Sequence, residues 1–162
     1  MDWHHVDDEY HKYAEEILYS VDAILYGRKT YQHMKSFWST EFAKEKFPVV
    51  AERMNDLPKV VFSSTLNNVD LNDTTVIKEK VNDYIMELKQ QPGKDLVILG
   101  SSDFVSFLTN FSLVDEYQII VNPVILGGGK PYFKNITDCK LLKLVRTKVF
   151  KFGNVLLCYR LA

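Results

Sequence analysis

Short apolar runs that alternate with amphipathic stretches between residues 7 and 110 limit the possible folds of this chain more than any other feature. The apolar runs suit buried strands, and the stretches between them repeat apolar residues at helical spacing. Alternating strands and helices are typical of a mainly parallel sheet covered by helices on both faces. The predicted helices are Asp7–Tyr19, Thr30–Phe37, Glu41–Asn55 with a break at Pro48, Val81–Gln90 and Ser102–Asn110, and the predicted strands are Ala23–Tyr26, Lys59–Phe62, Thr74–Ile77 and Leu96–Leu99.

The pattern changes after residue 110, where three strands follow one another. They are predicted at Glu116–Ile125, Leu141–Phe150 and Asn154–Leu161, and the last two form a hairpin through Phe152, Gly153 and Asn154. No repeat or linker interrupts the chain, so we expect residues 1–162 to form a single domain. The predicted fold class is therefore a three-layer α/β/α arrangement with a mainly parallel central sheet and an antiparallel C-terminal hairpin.

Charge and composition exclude several classes of function. Lys plus Arg total 20 against 21 Asp plus Glu, so no strong field favours nucleic acid or an anionic membrane. The apolar runs are far shorter than a membrane span, and no signal sequence opens the chain. Cys139 and Cys158 fit reduced core thiols better than a disulfide, which indicates a cytoplasmic protein.

Small, polar or cationic residues follow three of the predicted strands. In open α/β sheets ligands bind beyond the carboxyl ends of the strands. A helix N-terminus there offers free N–H groups and partial positive charge, which suits a phosphate. Together the three ends favour a dinucleotide, although singly each is better explained as a cap, a turn or solvated surface. The three ends are Gly27-Arg28-Lys29-Thr30, Ser63-Ser64-Thr65 and Gly100-Ser101-Ser102.

Two common types of site are not predicted. The chain has neither a GxGxxG nor a GxxxxGK[ST] motif, so a standard Rossmann site or a P-loop is not expected. The four histidines show no HExxH-type pairing, and we therefore expect no metal site. These are His4, His5, His11 and His33.

The order of the motifs resembles the dihydrofolate reductase superfamily, most closely the branch related to the reductase domain of bacterial riboflavin biosynthesis. The match runs over nearly the whole chain, and the joint spacing of its motifs is more specific than any one of them. The motifs are Met1-Asp2-Trp3 followed by Asp8, Gly27-Arg28-Lys29-Thr30-Tyr31, Lys59-Val60-Val61-Phe62-Ser63-Ser64, Val97-Ile98-Leu99-Gly100-Ser101-Ser102, Val114-Asp115-Glu116-Tyr117 and Pro123-Val124-Ile125-Leu126-Gly127.

The resemblance implies an NADPH-dependent reductase that acts on a small heterocycle. It implies that Arg28, Lys29 and Thr30, with Gly27, meet the phosphates of NADPH, and that the 2′-phosphate lies against the segment Ser63–Thr65. The pyrophosphate and the nicotinamide ribose would contact the turn and helix that follow the fourth strand. Those residues are Gly100, Ser101, Ser102, Asp103, Phe104 and Val105.

Asp8 is in register with the family's catalytic acid, and Trp3 with its substrate-side loop. Hydride transfer to a C=N or C=O carbon requires a proton on the heteroatom, and a desolvated carboxyl group can hold or relay it. The alternative is that Asp8 is a plain acid in the first turn of a helix, which Asp7-Asp8-Glu9 equally predicts.

Two departures from the family argue against dihydrofolate as the substrate. Pro58 stands where dihydrofolate reductases carry an arginine for the glutamate tail, and Ile119 stands in register with a threonine that bridges acid and pterin. Losing charged hydrogen bonds worth roughly 1.5–3 kcal/mol each weakens binding severely. A non-catalytic NADPH- or nucleotide-binding module, and a flavin- or mononucleotide-binding protein outside this family, remain alternatives.

Three further expectations concern the periphery. The loop Leu126–Lys130 is either a mobile turn or, through Lys130, a contact for a substrate phosphate. The apolar C-terminal hairpin predicts a homodimer, because such edges are usually paired or covered. In the family a central strand precedes the Met-x-Trp motif, so we expect a further strand upstream of Met1. The alternatives are that another segment or subunit fills its place, that the sheet has rearranged around it, or that the family match is wrong and no strand is missing.

Overall fold

The computed structural model describes residues 7–66 and 73–162 of the chain. Over these residues strands and helices alternate as predicted, and three strands end the chain. The helices are α1 (Asp8–Tyr19), α2 (Arg28–Trp38), α3 (Glu41–Lys46), α4 (Pro48–Asp56), α5 (Val81–Gln90) and α6 (Ser102–Asn110), and the strands are β1 (Val21–Gly27), β2 (Lys59–Phe62), β3 (Thr74–Ile77), β4 (Asp95–Ile98), β5 (Tyr117–Val121), β6 (Leu142–Val149) and β7 (Val155–Leu161).

Local chemistry explains where most of these elements begin and end. The side chain of Asp7 accepts a hydrogen bond from the Tyr10 N–H and caps α1. Pro48 occupies the first turn of α4, where its missing N–H costs nothing, and so divides the predicted helix 41–55 in two. Gly153 adopts a φ of 85° in the turn between β6 and β7, which favours glycine. β5 is shorter than predicted and stops before Pro123, which has no N–H for a ladder.

The strands form two sheets. β3, β2, β1 and β4 lie in that order in a parallel sheet, and β5, β7 and β6 form an antiparallel sheet. The predicted mainly parallel sheet with an antiparallel C-terminal hairpin is confirmed. The division into two sheets was not predicted.

Helices cover both faces of the parallel sheet. Ile24 and Tyr26 of β1 pack in one apolar cluster with Leu18 of α1 and with residues of α2 and α4. Leu25, between them, points to the opposite face and packs with Phe104 of α6 and with residues of α5. This alternation follows from the two-residue period of a strand. The result is the three-layer α/β/α arrangement.

Two helices also reach the antiparallel sheet. Tyr13 of α1 is buried against Phe150, Leu156 and Cys158. On the other face the Tyr117 hydroxyl donates to Thr109 Oγ1 at the end of α6, at 3.0 Å. α1 and α6 therefore hold the two sheets together from opposite sides.

The two cysteines differ in their surroundings. Both are free thiols, as predicted, and Cys158 is buried in the core. The prediction that Cys139 is a core thiol is wrong, because this side chain is exposed in the segment before β6.

Candidate functional site

Three strands of the parallel sheet end together at one edge, which we call the carboxyl edge. Gly27 at the end of β1 stands opposite Phe62 at the end of β2, and Leu25 stands opposite Ile98 at the end of β4. The residues that follow each strand are thus neighbours. The structure brings the three predicted strand ends to a single edge, as the parallel topology requires.

The first and third strand ends are in direct contact. The Gly27 N–H donates to Ser101 Oγ at 3.2 Å. A Cβ at Gly27 would lie 3.0 Å from Ser101 Oγ and 3.6 Å from Phe104 Cβ. Gly100, in turn, would place a Cβ 4.0 Å from Thr30 Cγ2. The start of α2 and the start of α6 therefore meet, and glycine permits the close approach.

Both helices begin without a side-chain cap in the described part of the chain. Gly27 precedes α2 and offers no side chain, and Ser101 precedes α6 with its hydroxyl turned to Gly27 instead. Gly100 and Ser101 have positive φ values of 71° and 58°, which turn the chain sharply into α6. Two sets of N–H groups and two helix dipoles converge at one point, and this arrangement attracts an anion such as a pyrophosphate.

The predicted cofactor residues occupy the first turns of these helices. Arg28, Lys29 and Thr30 begin α2, and Ser102 to Val105 begin α6. Arg28 and Thr30 are half-buried and Lys29 is exposed. Phe104 and Val105 are buried in the core, so their part in the site is limited to the backbone.

The second strand end forms a polar turn beside the first. Ser63 Oγ accepts hydrogen bonds from the N–H groups of Thr65 at 3.2 Å and Leu66 at 3.1 Å. This bonding stabilises the turn, and Ser63 Oγ also lies 3.5 Å from Thr65 Oγ1. Ser64 and Thr65 are exposed. Because Gly27 and Phe62 are partners in the sheet, this turn lies next to Arg28.

Lys134 is a member of the site that the sequence did not reveal. Its Nζ lies 2.9 Å from Asp103 Oδ1 in the first turn of α6, and its N–H donates to Ser106 Oγ at 3.0 Å. The hydrogen bond from Lys134 holds the pKa of Asp103 below its usual range, and the charges of Lys29 and Lys130 lower it further. Lys134 thus offsets a carboxylate that would repel a phosphate. The two residues are 31 positions apart, and no motif connects them.

The glycine-rich loop lies on the same side of the molecule as α6. A Cβ at Gly127, Gly128 or Gly129 would meet nothing within 4 Å, so the loop stands free of the core. Lys130 is exposed, and its charge acts on Asp103. The structure therefore supports an open turn, and it leaves both interpretations of the loop in place.

The start of α1 lies at the carboxyl edge. Only Ser20 separates α1 from β1, and Lys94 Nζ, just before β4, donates to the Tyr19 carbonyl at 3.0 Å. The end of α1 is therefore at the opposite edge, and Asp8 at its start is at the carboxyl edge. Trp3, the other residue predicted on this side, lies outside the described residues.

Asp8 differs from the expected desolvated acid, because it is exposed at the first turn of α1. The helix cap is its neighbour Asp7, which also accepts the Phe152 N–H at 3.1 Å. Partial desolvation raises the pKa of Asp7, but these two hydrogen bonds and the charge of Lys151 lower it more, and it lies below its usual value.

Ile119 does not face α1. Gln118 receives a hydrogen bond from the Tyr13 hydroxyl on α1, and Tyr117 is bonded to α6. Since side chains alternate along a strand, Ile119 points to the α6 side with Tyr117. The assignment of Ile119 to the substrate side by motif register stays a prediction, and its outcome depends on a register in which a shift of one residue reverses the face. Burial raises the pKa of Tyr13 to about 12, so Tyr13 stays protonated and donates to Gln118.

Two buried phenols complete the carboxyl edge on the α1 side. Tyr26 precedes Gly27, and Tyr31 lies in the first turns of α2, with ring centroids 6.2 Å apart. Within the described chain neither hydroxyl has a hydrogen-bond partner, and burial raises the pKa of Tyr26. Buried hydroxyls usually find a partner, and the sequence analysis singled out neither phenol.

Within residues 7–66 and 73–162, no group of His, Cys, Asp and Glu is arranged to hold a metal ion. No helix of that part is long and apolar enough to cross a membrane.

Comparison with known proteins finds a matching family model and similar proteins. A family model described as the RibD C-terminal domain matches residues 2–158. The uncharacterized protein YyaP of Bacillus subtilis (strain 168) is 33% identical over 148 residues, which are 89% of this chain and 76% of that protein. The uncharacterized protein YwjB of the same organism is 30% identical over 131 residues, 81% of this chain and 69% of that protein.

Two solved structures share the fold. A candidate riboflavin biosynthesis protein from Shewanella sp. PV-4 aligns with a TM-score of 0.74 and 21% identity over 100% of this chain and 88% of that chain. A pyrimidine reductase-like protein from Corynebacterium diphtheriae aligns with a TM-score of 0.66 and 14% identity, over 97% and 82% of the two chains. The expected dihydrofolate reductase-like fold and its riboflavin-related branch are confirmed.

Proposed function

Because the chain belongs to the RibD C-terminal domain family, we propose that it is an NADPH-dependent reductase. It transfers a hydride to a small heterocycle of the pyrimidine or pterin type that is not dihydrofolate. The observation that carries this proposal is the contact between Gly27 and Ser101, which joins two helix N-termini at one edge. A dinucleotide needs such a place for its pyrophosphate.

The residues around this contact fit the rest of NADPH. Arg28 and Lys29 stand at the start of α2, and the hydroxyls of Ser63, Ser64 and Thr65 lie in the adjacent turn. A 2′-phosphate carries charge that a guanidinium and hydroxyl donors satisfy together. NADH lacks this group, so the same residues favour NADPH.

Bound NADPH would supply the hydride, and the chain would supply position and a proton. The N-termini of α2 and α6 would hold the phosphates, and Lys134 would keep the charge of Asp103 neutralised beside them. We place the proton at Asp8, which is at the same edge and open to solvent, so that water can re-protonate it after each transfer.

The first prediction compares two cofactors. NADPH at 100-fold its dissociation constant should stabilise the protein by about 2.7 kcal/mol. NADH at the same concentration should stabilise it much less, because only NADPH brings a phosphate to Arg28 and the Ser63 turn. Thermal unfolding with each nucleotide measures the difference, with adenosine 2′-monophosphate as a control for the phosphate alone. Equal shifts with NADPH and NADH would contradict the proposed cofactor.

A non-catalytic NADPH- or nucleotide-binding module is the second candidate function. The exposure of Asp8 favours it, because a proton donor with a tuned pKa is usually desolvated. Stoichiometric NADPH binding without NADPH oxidation by any pyrimidine or pterin would support the module. A yellow chromophore in the purified protein would instead support a flavin-binding function.

The second prediction concerns dihydrofolate. It should be a poor or inactive substrate, because Pro58 offers no cation for the glutamate tail and its carbonyl already accepts the Ile24 N–H at 2.9 Å. Steady-state oxidation of NADPH with dihydrofolate tests this, with enzyme concentration varied to exclude background. Turnover at ordinary enzyme rates, on the order of 1–1,000 per second, would contradict the assignment.

The third prediction concerns assembly. Leu142, Leu144 and Val149 of β6 are 36%, 49% and 67% exposed. They pair with β7 residues on the face away from α1, since Lys148 of the other face is bonded to Glu9 of α1. We expect a homodimer that buries this face, because exposed apolar sheet surfaces mark interfaces.

Light scattering should give twice the monomer mass at micromolar concentration, and Val149→Lys should give a monomer. Lys143→Ala, on the same strand, should leave the dimer intact. A monomeric unsubstituted protein would refute this interface.

The proposed function also includes a cytoplasmic location, since both cysteines are free thiols in the structure.

A further inference from the structure

The end of β5 lies beside the start of α1. The Tyr13 hydroxyl, in the middle of α1, donates to Gln118 near the start of β5. Asp7, the cap of α1, accepts instead from the N–H of Phe152 in the turn before β7. Because β7 starts opposite the end of β5, this turn lies next to Asn122, the residue that follows β5. α1 therefore runs back along β5, and Asn122 lies near the first turn of α1.

Asn122 belongs to the face of the antiparallel sheet that meets α1. Side chains alternate along a strand, so Asn122 is on the same side as Ile120. Ile120 packs in the apolar cluster that α1 forms with this sheet, as does Leu156 of β7. Asp8, the proposed proton donor, is also at the start of α1. Asn122 is thus on the substrate side of the proposed site.

A buried asparagine holds the side chain of Asn122. The Asn154 Nδ2 donates to Asn122 Oδ1 at 2.6 Å. Asn154 is only 1% exposed, and burying an amide costs free energy unless it is hydrogen-bonded. The bond to Asn122 offsets part of that cost. The orientation of the Asn122 amide is therefore set by a group that solvent does not reach.

The backbone around this pair is held as well. The Asn122 carbonyl accepts from the Val124 N–H at 2.8 Å. A Cβ at Gly153, directly before Asn154, would lie 3.5 Å from Pro123 Cγ, so the turn before β7 touches the segment after β5. A side chain held in this way loses little conformational freedom when it binds a ligand.

The orientation of the Asn122 amide leaves a hydrogen-bond donor for a ligand. An asparagine side chain carries two N–H donors on Nδ2 besides its carbonyl oxygen. Oδ1 of Asn122 takes the bond from Asn154, and within the described chain its Nδ2 makes no hydrogen bond. Asn122 is partly exposed, so a ligand at this edge can reach it.

We propose that Asn122 donates from Nδ2 to a ring carbonyl of the substrate and thereby selects an oxo heterocycle over its amino counterpart. Asn154 is a positioning residue that keeps Oδ1 of Asn122 turned toward itself and leaves Nδ2 for the ligand. An exocyclic amino group at the same place would bring two donors together, and donors left without an acceptor weaken binding. The inference rests on the proposed reductase function and narrows its substrate to a heterocycle with a ring carbonyl, such as a pyrimidinone.

Binding of two small probes tests the proposal. Uracil carries ring carbonyls where 2,4-diaminopyrimidine carries amino groups. Ligand-observed NMR gives the dissociation constant of each probe, with and without NADPH, at a pH where both probes are uncharged. The unsubstituted protein should bind uracil about tenfold more tightly than the diamino probe. Asn122→Asp replaces the donor by an acceptor, so the ratio of the two constants should fall to one or reverse.

A second variant tests the positioning residue. The carboxylate of Asn154→Asp only accepts, so Asn122 should turn Nδ2 toward it and offer Oδ1 to the ligand. The ratio should then reverse although Asn122 itself is unchanged, which a merely structural role of Asn154 does not predict. Thermal unfolding shows whether each variant folds. If Asn154→Asp does not fold, Asn122→Asp still tests the proposal, because position 122 is partly exposed.

Gln118→Ala is the matched control on the same face of β5. Both halves of the Gln118 amide are already bonded within the described chain, Oε1 to Tyr13 and Nε2 to Glu116. The substitution should therefore leave the ratio of the two dissociation constants unchanged.

Three results would overturn the inference: equal binding of both probes by the unsubstituted protein, binding of neither probe, or a ratio that Asn122→Asp leaves unchanged. Failure of the proposed function gives a different result. NADPH would then fail to bind or would transfer no hydride, while the preference for uracil and its loss in Asn122→Asp would persist.

Discussion

Phe150→Ala should destabilise the protein by about 3–5 kcal/mol, as deletion of a buried phenylalanine side chain generally does. Phe150 is only 2% exposed, and its ring lies 5.4 Å from that of Tyr10 and 5.7 Å from that of Tyr13. These contacts attach α1 to the antiparallel sheet. The loss is large against a typical total stability of about 5–15 kcal/mol, so folding itself is at risk. Urea unfolding followed by circular dichroism measures the change.

Phe152→Ala is the matched control, because Phe152 is two residues away and 59% exposed. It should change the free energy of unfolding by about 0.5 kcal/mol or less. Leu156→Ala, which removes a fully buried neighbour in the same cluster, provides a milder second measurement. Equal effects of the Phe150 and Phe152 substitutions would show that α1 is not attached to the sheet through Phe150.

Arg28→Ala should raise the dissociation constant of NADPH by about 10- to 100-fold, since a charged hydrogen bond contributes roughly 1.5–3 kcal/mol. Arg28 is half-buried in the first turn of α2, one residue after the contact between Gly27 and Ser101. Removing its charge takes away the main cationic partner of the proposed 2′-phosphate and leaves the helix N-termini in place. NADH affinity should therefore fall much less. Fluorescence titration with each nucleotide measures both constants.

Lys35→Ala is the control for Arg28→Ala, because Lys35 is an exposed cation in the last turn of the same helix. It should leave both affinities unchanged. Arg28→Lys keeps the charge without the planar fork and should restore part of the NADPH affinity. If Arg28→Ala weakens NADPH and NADH alike, or lowers the melting temperature strongly, Arg28 supports the fold and does not recognise the phosphate.

The helices, strands and turns could be predicted from the sequence because the residues that start and end them act over short distances along the chain. Pro48 begins α4 and divides a helical stretch, Asp7 caps α1, and Gly153 turns the C-terminal hairpin. Each acts through its own backbone or within three residues. The carboxyl edge could also be predicted, because parallel strands necessarily end on one side of their sheet. Gly27 and Gly100 could therefore be placed at the same site from their positions after apolar runs alone.

Contacts between segments far apart in the chain could be identified only from the tertiary structure. Lys134 pairs with Asp103, and nothing in either segment points to the other. Ile119 faces α6 and not α1, because register is decided by how β5 pairs with β7, where one residue reverses the face. Asp8 is exposed although it occupies the motif position of a buried acid, since burial depends on what covers the start of α1.

The sequence by itself determined the order of strands and helices, the antiparallel C-terminal hairpin and the edge at which a ligand site would form, because periodicity, proline, glycine and caps act over a few residues. Only the tertiary structure decided that the described strands divide into two sheets. The tertiary structure also decided that the Gly27 N–H donates to Ser101 Oγ, and it decided which cations lie near the start of α6. Those features depend on packing between segments far apart in the chain, and no local pattern encodes a contact whose two partners are selected by the whole fold.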